Sequence, residues 1–177
     1  MPRLCVFCGS SVGNRPEYAQ AARELGAALA AREIGLVYGG SRIGLMGILA
    51  DACLEAGGEV VGVLPEFMVQ RELEHTGLTT LHLVRTMHER KAMMADLADA
   101  FVALPGGFGT WDEFCEIVTW AQIGLHTKPM ALLNVAGYYD SLLSLAAHAA
   151  EEGFVRAQHR NLIRVATDTA DLLKQLF

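Results

Sequence analysis

Hydrophobic and polar positions alternate along this chain in two distinct registers. Apolar runs of three to five residues recur at 4–7, 36–38, 60–64, 81–84, 100–104, 130–133 and 163–166. Longer amphipathic stretches lie between them, at 17–32, 45–56, 87–97, 111–123, 138–151 and 169–176. In these the apolar residues fall three or four apart, as at Phe114, Ile117, Val118 and Ala121. Short continuous runs predict buried strands, and the longer spacing predicts helices. Strand–helix alternation at this interval predicts βαβ units. The expected fold is therefore α/β, a parallel sheet with helices on both faces and right-handed crossovers. No repeat, low-complexity run or linker divides the chain, so one domain over residues 1–177 is expected. The one long stretch without a pattern is 65–80, and such a loop in a compact domain is often functional.

Composition narrows the classes. A chain of 177 residues can bury a core without disulfides or metal, and 52% apolar with 19% charged residues argues against disorder. The net charge of −6 argues against nucleic acid or an anionic membrane as a partner. No apolar run reaches the ~18 residues that a membrane span needs. The start of the chain is too short in apolar residues for a signal-peptide core, so a cytoplasmic location is expected.

Cys5 and Cys8 form a C-x-x-C, but in a strand positions three apart point to opposite faces. With no second pair to complete a tetrahedral set, Cys5, Cys8, Cys53 and Cys115 read as buried free thiols, and no metal is expected. The six histidines show no ligand spacing and read as structural or surface residues.

Three glycine-rich turns follow predicted strands: Cys8-Gly9-Ser10-Ser11, Gly39-Gly40-Ser41-Arg42-Ile43-Gly44-Leu45-Met46-Gly47, and Pro105-Gly106-Gly107-Phe108-Gly109-Thr110. Open parallel sheets bind ligands outside the carboxyl ends of their strands. Three such turns at one edge suggest a nucleotide-sized site with an anionic group. Glycines let the backbone approach the ligand, and the first N–H groups of the following helix hold the anion. The dinucleotide pattern G-x-G-x-x-G is absent, as is a ribose-binding acid about 20 residues on, and there is no G-K-[ST]. What remains is a Rossmann-like sheet without a nicotinamide signature.

The third turn carries Trp111, Asp112 and Glu113 into the next helix, placing an acid beside the anion cradle. Upstream, Met87-His88-Glu89-Arg90-Lys91 opens a predicted helix at the same edge. Read plainly, this run is a solvated charged face and Glu113 a helix-dipole carboxylate. Their shared location gives a functional reading equal standing.

Together, Met87-x-x-Arg90-Lys91 and Pro105-Gly-Gly-x-Gly-Thr-x-x-Glu113 resemble the paired motifs of the Lonely Guy family, the cytokinin riboside 5′-monophosphate phosphoribohydrolases. Trp120-Ala-Gln-Ile-Gly124, Lys128-Pro129, Asn134-x-x-Gly-Tyr-Tyr139 and Glu151-Glu-Gly-Phe154 extend the resemblance along nearly the whole chain. Trp111-Asp112 stands where Leu-Glu is usual.

The resemblance implies hydrolysis of the N-glycosidic bond of an adenosine 5′-monophosphate, plain or N6-modified, without a cofactor. It implies a homodimer. It casts Arg90 and Glu113 as the catalytic pair. Glu72, Lys91, Gly106, Gly107, Phe108, Gly109, Thr110, Trp111, Asp112 and Thr119 become substrate-binding positions, joined by Gly9, Ser10, Gly40, Ser41 and Met46 from the other two turns. An AMP nucleosidase without a cytokinin role, or a binder of nucleotide or molybdenum cofactor that performs no hydrolysis, are the alternatives.

Overall fold

The structure is a computed structural model and describes residues 1–69, 71 and 73–177. Its strands are β1 (Arg3–Phe7), β2 (Gly35–Tyr38), β3 (Val60–Pro65), β4 (Thr80–Val84), β5 (Ala100–Ala103), β6 (Met130–Leu133) and β7 (Ile163–Ala166). The helices are α1 (Pro16–Ala31), α2 (Gly44–Glu55), α3 (Glu66–Val69), α4 (Met87–Leu97), α5 (Phe108–Gln122), α6 (Asp140–Glu151) and α7 (Thr169–Leu176). The strands form one parallel sheet in the order β4-β3-β2-β1-β5-β6-β7. This is the expected α/β fold with a Rossmann-like sheet.

Strand alternation divides the core into two layers. Leu4, Val6 and Cys8 pack with Leu25 of α1, Leu49 of α2 and Leu172 of α7. Cys5 and Phe7 face the other way, against Met94 of α4 and Phe114 and Ile117 of α5. Cys5 and Cys8 thus lie on opposite faces, buried and free, and Cys53 of α2 is buried and free in the layer that holds Cys8. Cys115 departs from expectation: it is exposed on α5, because helical geometry turns it away from the buried Phe114 and Ile117.

The strand order reverses direction at β1, which lies between β2 and β5. The chain leaves β1 for β2 on one side and reaches β5 on the other. The carboxyl ends of these strands therefore flank a topological switch point, where such sheets open a crevice.

Several boundaries differ from the pattern-based ones. Helix α5 begins at Phe108, three residues before the expected start, because Gly107 takes the N-cap position and the following glycine and threonine are already helical. Helix α6 begins at Asp140, after a short 3-10 turn (Val135–Gly137) in which Ala136 and Gly137 have φ of 50° and 72°. Residues 65–80 include the short α3 and an antiparallel bridge between Ser41 and Glu74. Among the described residues no helix is long and apolar enough to cross a membrane.

Candidate active site

The charged run at the start of α4 divides by helical geometry. Thr86 accepts the backbone N–H of Glu89 at 3.1 Å, and the Glu89 carboxylate accepts that of Arg85 at 2.8 Å. This reciprocal cap accounts for Glu89 as a surface device. One residue on, the helix turns Arg90 inward, and it is 7% exposed.

The Arg90 guanidinium is anchored at three points. Nε donates to the Val63 carbonyl of β3 at 3.0 Å, and Nη2 to the Gly39 carbonyl beyond β2 at 3.1 Å. Nη1 donates to Oε1 of Glu113 on α5 at 3.0 Å. Glu113 is itself 9% exposed. Burial raises its affinity for a proton above that of an ordinary glutamate, and Arg90 only partly offsets this. A buried carboxylate facing a fixed cation is poised for proton transfer or for stabilising developing positive charge.

Lys91 lies beside this pair with a different set of contacts. Its Nζ meets Asp112 at 3.1 Å and Glu116 at 3.0 Å. Burial works against its charge, but the two carboxylates outweigh burial and raise its pKa. Lys91 thus clasps α4 to the first turns of α5, the segment that carries Glu113.

The glycine turns meet at the switch point. The Gly9 N–H donates to the Pro105 carbonyl at 3.1 Å, and the Leu45 N–H to the Gly9 carbonyl at 3.0 Å. A Cβ on Gly106 would overlap the Thr110 hydroxyl and lie 2.9 Å from the Gly9 nitrogen, so the backbones meet with no room for a side chain. A cavity of about 240 Å³ opens between the two loops, lined by Gly9, Ser10, Tyr18, Pro105, Gly107 and Tyr138. Thr110 is buried at the helix start, while Gly107, Phe108 and Gly109 face outward. Phe108 is 85% exposed and stands edge-to-face with Trp111 at 5.1 Å.

The remaining expected positions fall in three groups. Gly40 and buried Ser41 form the turn after β2, where the Ser41 hydroxyl donates to the Leu73 carbonyl at 3.0 Å. Met46 lies beside Gly39, its sulfur close to where a Gly39 Cβ would project. Thr119 is not brought to the loop: it sits eleven residues into α5, about 16 Å along the axis, and its hydroxyl donates to the Cys115 carbonyl at 2.7 Å. Glu72 lies outside the described residues.

Motif reading gave no role to Tyr138 and Tyr139, although both belong to the Asn134-x-x-Gly-Tyr-Tyr motif. Two of the histidines fill structural roles: His75 Nε2 contacts Asp51 at 2.8 Å, and His126 contacts the Ile117 carbonyl at 2.9 Å; His88 lies exposed on the surface.

A doubly wound parallel sheet with a glycine-lined crevice and a buried arginine–glutamate pair at its carboxyl edge defines a Rossmann-like protein with a candidate nucleotide site. Residues 46–176 match a family described as "Possible lysine decarboxylase". Over 174 residues the chain is 50% identical to cytokinin riboside 5′-monophosphate phosphoribohydrolase LOG1 of Arabidopsis thaliana, spanning 98% of this chain and 82% of that protein. It is 53% identical over 166 residues to the cytokinin riboside 5′-monophosphate phosphoribohydrolase of Rhodococcoides fascians, spanning 93% and 84%. The chain belongs to this phosphoribohydrolase family, the Lonely Guy family.

Solved structures agree on the fold. The molybdenum cofactor carrier protein of Chlamydomonas reinhardtii superposes with a TM-score of 0.71 at 25% identity, over 99% of this chain and 96% of that one. The molybdenum cofactor binding protein of Rippkaea orientalis gives 0.74 at 20% identity, over 98% and 93%.

The decarboxylase description implies pyridoxal chemistry, which needs a lysine free to form a Schiff base. The residues do not fit that group. Lys91 is held as an ammonium by two carboxylates. Lys128 donates to the Ala95 carbonyl at 2.8 Å, and Lys174 lies in the last turn of α7.

Proposed function

We propose that this chain hydrolyses the N-glycosidic bond of an adenosine 5′-monophosphate, plain or N6-modified, releasing the free base and ribose 5-phosphate. The observation that carries this reading is the buried Arg90–Glu113 pair, 3.0 Å apart at the crevice edge. A protein that only holds a nucleotide has no evident need for it.

In the reaction the C1′–N9 bond breaks and its electron pair leaves with the base. Positive charge builds on the ribose ring, and the Glu113 carboxylate stabilises it. The same carboxylate orients water and takes its proton as the water oxygen bonds to C1′. That proton ends on the departing base. Arg90 spends three N–H groups on fixed protein acceptors; its part is to keep Glu113 ionised and aimed. The 5′-phosphate is held by N–H groups of Gly106, Gly107 and Gly109 and by the Thr110 hydroxyl, at the start of the 15-residue α5. Asp112 and Lys91 act beside it, through the clasp between helices. Glu72, Gly9, Ser10, Gly40, Ser41 and Met46 complete the proposed substrate shell by family pattern, and Thr119, far along α5, is left out of it.

A homodimer belongs to this reading, supported by exposed Ile123, Leu125, Leu145 and Phe154 around the end of α5 and α6. So does the cytoplasm, supported by three buried free thiols.

The test is chromatography of protein incubated with AMP and with isopentenyladenosine 5′-monophosphate, alongside Glu113→Gln. Free base from the parent alone is expected, and the two rates separate an AMP nucleosidase from a cytokinin-forming enzyme. Tight nucleotide binding with no base released from either substrate would overturn hydrolysis in favour of a carrier.

A further inference from the structure

The Asn134-x-x-Gly-Tyr-Tyr139 motif follows β6, the strand next to β5 in the sheet. Its local structure explains its composition. The Asn134 side chain accepts the Tyr139 N–H at 2.8 Å and donates to Asp140 at 2.8 Å. Gly137, at φ 72°, turns the chain there in the left-handed region that glycine favours. This turn presents two consecutive aromatic rings, nearly perpendicular at 5.0 Å.

Each ring ends on the glycine loop. The Tyr139 hydroxyl donates to the Leu104 carbonyl at 2.6 Å, and the Tyr138 hydroxyl to the Gly106 carbonyl. The carbonyl between them, on Pro105, accepts the Gly9 N–H at 3.1 Å. Three successive carbonyl oxygens of the loop are therefore bound to donors of the protein. A carbonyl oxygen turned toward a bound phosphate would repel it, whereas N–H groups attract it. Tying the carbonyls down leaves the crevice to the N–H groups.

Tyr138 differs from Tyr139 in being half-buried and lining the 240 Å³ cavity. Tyr18 of α1 stands edge-to-face against it at 5.7 Å and lines the same cavity.

We propose that Tyr138 is a positioning residue that sets selectivity for the 5′-phosphate, by holding the Gly106 carbonyl out of the anion site. This rests on the proposed function for the identity of the ligand, and the loop geometry carries the rest. Tyr138 acts through the loop and leaves the reacting C1′ centre to Arg90 and Glu113. Its removal therefore falls on binding of the phosphate-bearing ligand, and falls unequally on ligands with and without phosphate.

The test compares the parent and Tyr138→Phe, which keeps the ring and loses the hydroxyl. Binding of AMP, adenosine and ribose 5-phosphate is measured by calorimetry with both proteins also carrying Glu113→Gln, so that AMP is not consumed and the result is readable whether or not the parent hydrolyses it. AMP and ribose 5-phosphate should weaken roughly five- to tenfold, about one hydrogen bond's worth, while adenosine changes less than twofold. In turnover the loss should appear in KM for AMP and spare kcat. Unchanged AMP affinity, or equal weakening of AMP and adenosine, would overturn the assignment. A thermal melt alongside distinguishes a loosened loop from a damaged fold.

Discussion

Gly39 and Arg90 are in such close contact that no side chain fits between them. The Gly39 carbonyl accepts Nη2 of Arg90 at 3.1 Å, and a Cβ built on Gly39 would overlap that nitrogen. The glycine after β2 is thus a steric requirement of the arginine on α4. Gly39→Ala should displace the guanidinium and with it the ion pair to Glu113. Turnover should fall about a hundredfold, the scale of a roughly 1 Å misplacement of a catalytic group. Steady-state hydrolysis of AMP checks this; near-parental kcat would show that the Arg90 position is not needed.

The pH dependence follows from Glu113. Burial raises its pKa, with Arg90 opposing and Asp112 adding to the rise. A general base works only when ionised, so activity should fall with falling pH as Glu113 takes up its proton. The midpoint should lie above the ~4.3 of a free glutamate. Arg90→Ala removes the opposing charge, so the acid limb should move further up as kcat drops. The same shift acts against folding at neutral pH, because the unfolded chain ionises before the folded one. A pH–rate profile of both proteins decides; a limb at or below the ordinary glutamate value would contradict the role.

Lys91 offers a separate test of the same electrostatics. It lowers the Glu113 pKa, while Asp112 and Glu116 raise it. Lys91→Met leaves two uncompensated carboxylates beside Glu113. The acid limb should shift upward again, so the variant loses more activity near pH 6 than near pH 8. The melting temperature should fall modestly: the pair to Asp112, 65% exposed, is weak, but Glu116, 27% exposed, loses its partner. A loss independent of pH would instead favour direct contact between Lys91 and the substrate.

Hydrophobic period located the strands within a residue or two, because each is a buried run in a sheet covered on both faces. The start of α5 was harder to read: Gly107 and Gly109 look like loop, yet Phe108–Thr110 are helical once Gly107 caps them. Arg90 and Glu113 could be named from their motifs, but not their pairing, since 23 residues separate them and two carbonyls, one within β3 and one just beyond β2, hold the guanidinium. Periodicity says nothing about backbone acceptors. The same gap hid Tyr138 and Tyr139, whose partners are carbonyls 32 and 35 residues away.

Glycines of the β5–α5 loop separate fold from ligand. A Cβ on Gly106 would overlap the Thr110 hydroxyl and press on the Gly9 backbone, whereas a Cβ on Gly107 meets nothing within 4 Å. The Gly107 backbone, at φ −98° and ψ −156°, suits any residue. Packing therefore explains glycine at 106 and leaves it unexplained at 107, where a ligand approaching the backbone would require it. Gly106→Ala should lower both the melting temperature and activity. Gly107→Ala should melt like the parent yet raise KM for AMP about tenfold or more, its methyl standing where the phosphate is proposed to sit. Melting curves and AMP kinetics of the two variants make the comparison; unchanged KM in Gly107→Ala would move the phosphate away from this loop.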